Sequence, residues 1–466
     1  MAYTTINKST EHFNTKLYTG TGSSNAITGV GFQPDWVWAK RYDGGTNNHR
    51  MANAVSGSSE LQSSNITNVG ADSSYFSSFN SDGFTVGTAS DTNVSSGSFV
   101  SWNWKAGGTA PSKTYVVKVV SDSGNKYRFD DFGTSAVTLD LQEGGTYTFD
   151  QSDSSNATHP LRFYTAADKT GGEYTTGVTT NGTPGSSGAY TRITVAASAP
   201  TLYYQCSAHA GMGGQVNTNS LFGSSNFSGS IQSTVSVNTT AGFSIVKWTG
   251  NGSGSTIGHG LDVKPKMIFV KNISSARNWV VNIGETIGTD ERSLYLNASD
   301  AIKNDAAADH GYTYNNTTTT FQTSGGSGGT QDDVNKNGDT IIAYCFGEKT
   351  GYSKFGSYTG NGNSNNGPYI YTGFRPSFLM IKCTSHSSSW DISDDKRLGY
   401  NPKNYRLTPH NTAAQYTGVE IYKDYVSNGF KIRASDTDTN GNGRTYIYMA
   451  LGQTMVGSNN IPATAR

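Results

Sequence analysis

Apolar residues in this chain come in short bursts rather than helical stripes. Stretches such as "TYVVKVV" (114–120), "GTYTFDQ" (145–151) and "TYIYMAL" (445–451) mix Val, Ile, Tyr, Phe and Thr with alternating polar positions, and Gly, Asn and Ser turns bound them. A period of two in residues of this kind predicts strands, and the scarcity of strong helix formers leaves little else, so the chain reads as nearly all β.

One segment occurs three times. "YTGTGSSNAITGVGFQPDWVWAK" (18–40) is matched by "WTGNGSGSTIGHGLDVKPKMIFVK" (248–271) and "YTGNGNSNNGPYIYTGFRPSFLMIK" (358–382). Each has an aromatic-Thr-Gly-x-Gly turn, then a proline (Pro34, Pro265, Pro376) followed six positions later by a lysine (Lys40, Lys271, Lys382). The proline fixes φ where no ladder donor is needed, and an apolar strand separates it from the lysine. Repeat ends correspond too: "SDGFTVG" opens 81–108 and "SNGFKIR" opens 427–454, whereas the middle repeat keeps only its closing strand, "NGDTIIAYCFGE" (337–348). Residues 112–218 fit neither pattern. The expected layout is therefore 1–110 first repeat, 111–218 insert, 219–349 second repeat and 350–466 third repeat with a C-terminal tail, with Gly/Ser-rich joints near 107–112 and 219–240.

Composition narrows the function classes. The 466 residues carry 34 basic and 34 acidic side chains, with no Lys/Arg cluster to track a phosphate backbone or an anionic membrane. Nucleic acid is not an expected partner. No stretch approaches the roughly 20 apolar residues of a membrane span, and the start lacks the features of a signal peptide, so neither membrane insertion nor export is expected. Cys206, Cys345 and Cys383 are odd in number and far apart, which argues against a disulfide framework.

Two features invite a functional reading and have a plainer one. Trp36, Trp38, Trp102 and Trp104 could form a sugar-stacking platform, but i, i+2 aromatics on one strand face are more often core. "TDTNGNG" (437–443) and "TQDDVNKNGD" (330–339) have ligands suited to calcium, yet neither has EF-hand spacing, and turn residues suffice.

The segments "STEHFNTKLYTGTG", "ITGVGFQPDWVWAK", "SDGFTVG", "FVSWNWKAGG" and the terminal "NNIPATAR" resemble tail-fibre or related virion proteins of tailed bacteriophages, particularly marine ones. The resemblance implies a virion location, assembly with other virion proteins, contact with a host surface glycan or protein, and homo-oligomers, commonly trimers. It supplies no catalytic residues. By analogy alone, residues 1–110 are the candidate attachment module.

The insert shows seven strand-like stretches in about 105 residues, ending in "TLYYQC" (201–206), which suggests a small two-sheet sandwich. Its last strand runs into Cys206-Ser207-Ala208-His209-Ala210-Gly211-Met212, after which "GGQV" opens another strand. A copper ion cycling between Cu(I) and Cu(II) is served by one thiolate, two imidazoles and a weak axial thioether. The loop supplies three of these groups, and His159, at the head of a strand 47 residues upstream, is placed to supply the fourth. The arrangement resembles the cupredoxins, closest to the amicyanin spacing. Carried over residue by residue, His159, Cys206, His209 and Met212 match the four copper ligands. The plainer alternative is that Cys206 and Met212 are core filler and the histidines satisfied polar groups.

The fold expected is all-β and multidomain: three homologous jelly-roll-like β-sandwich repeats plus one cupredoxin-like Greek-key sandwich. The function expected is a structural virion protein, a tail fibre or adhesin, and not an enzyme. Alternatives are a capsid decoration or head-fibre protein, a copper-binding electron-transfer protein, and a polysaccharide depolymerase, which would need two carboxylates across a cleft.

Overall fold

The computed structural model describes the chain except for residues 1–3, 7, 66, 68, 219–221, 284–291, 305–310, 326–331 and 454–466, so the "NNIPATAR" end lies outside the described residues. The protein is nearly all β. No helix is long and apolar enough to cross a membrane.

The three repeats share one topology. Each has a large sheet built from its opening strand, its closing strand and a hairpin. The orders are Phe13–Thr19, Ser98–Trp104, Trp36–Arg41, Arg50–Asn53 in the first repeat, and Phe243–Thr249, Thr340–Phe346, Met267–Asn272, Trp279–Asn282 in the second. The third repeat has Ser353–Thr359, Thr445–Gln453, Arg375–Cys383 and Asp391–Asp394 in the same order. A three-stranded sheet lies against each, with edge strands Asn25–Ile27, Ser255–Gly258 and Tyr369–Tyr371. The middle repeat, which lacks the Ser-x-Gly-Phe turn, reaches the same place through Thr317, whose backbone N–H donates to Thr320 O at 2.7 Å. The segment read as a joint at 219–240 carries two strands, Ser224–Asn226 and Ser233–Asn238, that extend the large sheet of the second repeat.

The Thr-Gly-x-Gly turns have one cause. A short turn before each closing strand carries a buried asparagine, Asn93, Asn335 or Asn440, whose carbonyl oxygen accepts from the N–H of the second glycine, Gly22, Gly252 or Gly362, at 2.8 Å in every copy. That glycine has φ of 75°, 71° or 64°, a region that favours glycine. At the first glycine a Cβ would sit 2.1 to 2.5 Å from a carbonyl oxygen of the same turn, so no side chain fits. Asn335 and Asn440 belong to the two stretches weighed for calcium, and their side chains are spent holding these turns: Asn335 Nδ2 donates to Asn251 Oδ1 at 2.9 Å and Asn440 Nδ2 to Ala434 O at 2.7 Å.

Alternation along the large-sheet strands feeds two different cores. Val37 and Ala39, Ile268 and Val270, and Leu379 and Ile381 fill the private core of their own sandwich. Their neighbours Trp36 and Trp38, Met267 and Phe269, and Phe378 and Met380 meet in a single core shared by all three repeats. Trp36 stacks on Trp104 at 4.3 Å and on Tyr344 of the second repeat at 4.1 Å, while Phe378 of the third lies 5.7 Å from Trp102. The four tryptophans are 0 to 2% exposed, so the core reading holds for them.

The three lysines of the repeat signature lie on that inner face, fully buried. Each bonds across to the next repeat: Lys40 Nζ to Thr412 O at 2.9 Å, Lys271 Nζ to Thr67 O at 2.6 Å, and Lys382 Nζ to Ser299 O at 3.2 Å. First repeat to third, second to first and third to second, the contacts run head to tail and close a ring. Burial pushes all three amines down, Lys271 to about 7 and the others to about 8, while Asp91, Asp333 and Asp438, at equivalent places in the three repeats, pull them back up.

Candidate metal centre

The insert is a sandwich of a five-stranded and a four-stranded sheet. Ser112–Ser121 pairs parallel with Thr146–Asp150, and Leu139–Asp140 parallel with Gln215–Asn217, so the chain crosses between sheets rather than meandering. All seven strand-like stretches become strands, and Gln215–Asn217 follows the loop as expected. Val178–Asn181 was not foreseen, because its largely exposed side chains leave no apolar alternation to read.

His159 and Cys206 come together through register. Leu161–Tyr164 and Leu202–Cys206 are antiparallel neighbours with Leu161 opposite Cys206, which places His159, two residues before Leu161, beside the start of the loop. Its backbone is fixed on both sides. The carbonyl accepts from Tyr127 Oη and Gln151 Nε2, each at 2.9 Å, and the N–H donates to Asn156 O at 2.8 Å.

The loop is held by groups that the sequence did not announce. Gln205 Oε1 accepts from the N–H of Met212 at 3.2 Å and of Gly213 at 3.1 Å, and Asp168 Oδ1 accepts from Gly211 N–H at 3.0 Å. Lys126 Nζ donates to Gly211 O. Gln205 adjoins Cys206 in sequence and its role could be guessed; Asp168 lies in an irregular turn with φ of 48°, with no motif to mark it.

The result is a compact donor set. Cys206 Sγ lies 3.8 Å from His159 Nδ1 and 3.5 Å from His209 Nδ1. The two imidazole rings are tilted with centroids 4.6 Å apart, and the three ligand atoms lie within 4.8 Å of one another. Bonds of about 2.3 Å to sulfur and about 2.0 Å to nitrogen, opened by a trigonal or tetrahedral angle, span about 3.5 to 3.8 Å, so one ion can bridge both pairs. Cys206 and Met212 are buried in the same cluster, whereas His209 is exposed, so the site sits at the rim of the sandwich. Burial and the neighbouring His209 lower the pKa of His159, which favours its neutral, ligating form. Among the described residues this is the one grouping of His, Cys and carboxylate side chains close enough to share a metal.

One family model matches most of the chain. Residues 8–127 and 217–454 match a family described as a domain of unknown function, DUF7483. The chain belongs to this family. The DUF7483 match leaves out 128–216, the stretch that carries His159, Cys206, His209 and Met212. No curated protein and no solved structure matches the chain.

Proposed function

We propose that this DUF7483 protein is a structural component of a virus particle, a tail fibre or adhesin that contacts a host surface. The supporting observation is the closed ring: three sandwiches share one aromatic core and hold one another through buried lysines, which makes a stiff scaffold. Loops on such a scaffold are where contacts are usually made. The likeness of the repeated segments to phage fibre proteins supplies the setting, with other virion proteins on one side and a host glycan or protein on the other. A trimer of chains, as in other fibres, would use outer surfaces, because the inner face of every large sheet is already filled. Immunogold labelling of purified particles tests the reading. Label on the tail supports it, label on the head moves the protein to capsid decoration or head fibre, and particles without label overturn it.

A second reading concerns the insert, which we propose binds a single copper ion through His159, Cys206, His209 and Met212. One thiolate, two imidazoles and a thioether suit copper better than harder ions. Copper held there would supply one-electron chemistry, and electron transfer as a function would further require a redox partner. Titration with Cu(II) should give an intense visible thiolate-to-copper band at one equivalent, absent from Cys206→Ala. Equal spectra for the two proteins would rule the site out.

A further inference from the structure

We propose that the outer face of the small sheet in the third repeat is a carbohydrate-binding platform. The inference names a place and a ligand class for the host-surface contact proposed above and takes its biological setting from that reading, although its chemistry can be tested on the isolated protein.

The three repeats provide an internal comparison. In each, one isoleucine of the edge strand points inward and pairs with a phenylalanine of the next strand: Ile27 with Phe84, Ile257 with Phe321, Ile370 with Phe430. The residues on either side of it therefore face outward. In the first repeat they are the exposed Ala26 and Thr28; in the second they are Thr256 and Gly258, the latter buried beneath Asn226 and Ser228. In the third they are Tyr369 and Tyr371, with exposures of 49% and 55%. The first repeat leaves the same face open and folds without aromatics there, so packing does not demand them in the third.

Side chains two apart on one strand face are spaced by about 7 Å, so the two rings can contact one sugar or two in succession. Pyranose C–H faces stack on the electron-rich face of an aromatic ring. Polar groups flank the pair. Tyr369 Oη donates to Asn428 Oδ1 at 2.7 Å, Lys431 is the cross-strand partner of Tyr369, and Arg433 pairs with Asp424 at 2.8 Å one strand beyond. Amide, ammonium, guanidinium and carboxylate groups around an aromatic floor provide the donors and acceptors that sugar hydroxyls require.

The test is binding of the intact protein to a microarray of purified bacterial capsular and O-antigen polysaccharides. The expected result is binding to at least one polysaccharide, reduced about tenfold or more in Tyr369→Ala/Tyr371→Ala and retained in Tyr369→Phe/Tyr371→Phe. Tyr400→Ala, at a still more exposed tyrosine elsewhere in the repeat, should bind as the unaltered protein does. Polysaccharide binding that survives the double alanine substitution would overturn the site while leaving the adhesin reading in place. No binding to any polysaccharide would overturn the ligand class, as would a change in oligomeric state in the double variant without loss of sugar binding.

Discussion

The ammonium of Lys40 meets the carbonyl oxygen of Thr412, 372 residues further along the chain, at 2.9 Å. With the matching bonds from Lys271 to Thr67 and from Lys382 to Ser299, it explains why a lysine stands six residues after the proline in every repeat. A long side chain with several hydrogens satisfies carbonyls from two repeats at once: Lys40 also serves Asn47 O, and Lys382 also serves Ser388 O.

These lysines should make the protein more stable in mild alkali. Their folded pKa values, about 7 to 8, lie below the ordinary 10.5, so between these limits the unfolded chain binds more protons than the folded one. Unfolding free energy then rises with pH, by up to about 1.4 kcal/mol per unit for each such lysine. Lys113 and Lys403, also lowered to about 8 by burial, act in the same sense. Guanidinium midpoints should climb between about pH 7 and 10, and Lys271→Met should remove about one proton's worth of the slope. A flat profile would contradict this.

Removing a turn asparagine should cost far more than its small size suggests. Asn440 Oδ1 accepts from Asn361 N–H at 2.8 Å, and its Nδ2 donates to Ala434 O at 2.7 Å, a bond shut away from water. Asn440→Ala should lose about 2 to 4 kcal/mol by thermal or denaturant unfolding. Asn365→Ala, in the exposed loop nearby, should stay within about 0.5 kcal/mol.

Phe227 should matter to the insert although it follows it in sequence. It is 4% exposed and packs in the insert's core, 5.4 Å from Phe132 and 5.6 Å from Tyr115. Phe227→Ala should destabilise by about 3 kcal/mol. Hydrogen exchange should show the protection lost in 112–218 and kept in the ring.

Copper affinity should rank its ligands and their supports. Cys206→Ser should weaken Cu(I) binding most, and Met212→Leu least, since the thioether is the weak axial donor. Asp168→Ala, which removes the acceptor for Gly211 N–H and the Gln205 amide but no metal donor, should cost about 10 to 100-fold. Competition titration against a Cu(I) chelator gives all three, and equal losses at Met212 and Cys206 would contradict the assignment.

The repeats were legible in sequence because their marks have single causes. Gly22, Gly252 and Gly362 take positive φ, and Lys40, Lys271 and Lys382 fill one role, so these residues recur while their neighbours drift. The four proposed copper ligands were legible for a similar reason: donor types at fixed spacing leave few readings, and strand register brought His159 to Cys206. The ring was not. Its acceptors, the carbonyls of Thr412, Thr67 and Ser299, are backbone atoms that any residue would supply. The folding of 224–238 was hidden as well, because a serine-rich stretch with Phe227 as its one aromatic residue looks like linker. Tyr369 and Tyr371 stand out only once the three small sheets are superposed in register.

A ring made of identical chains must carry every ornament in triplicate. Here all three positions belong to one polypeptide, so the insert occurs once, between the first and second repeats, and the tyrosine pair occurs on one repeat. The chain is thus free to vary one face of a threefold frame without disturbing the other two.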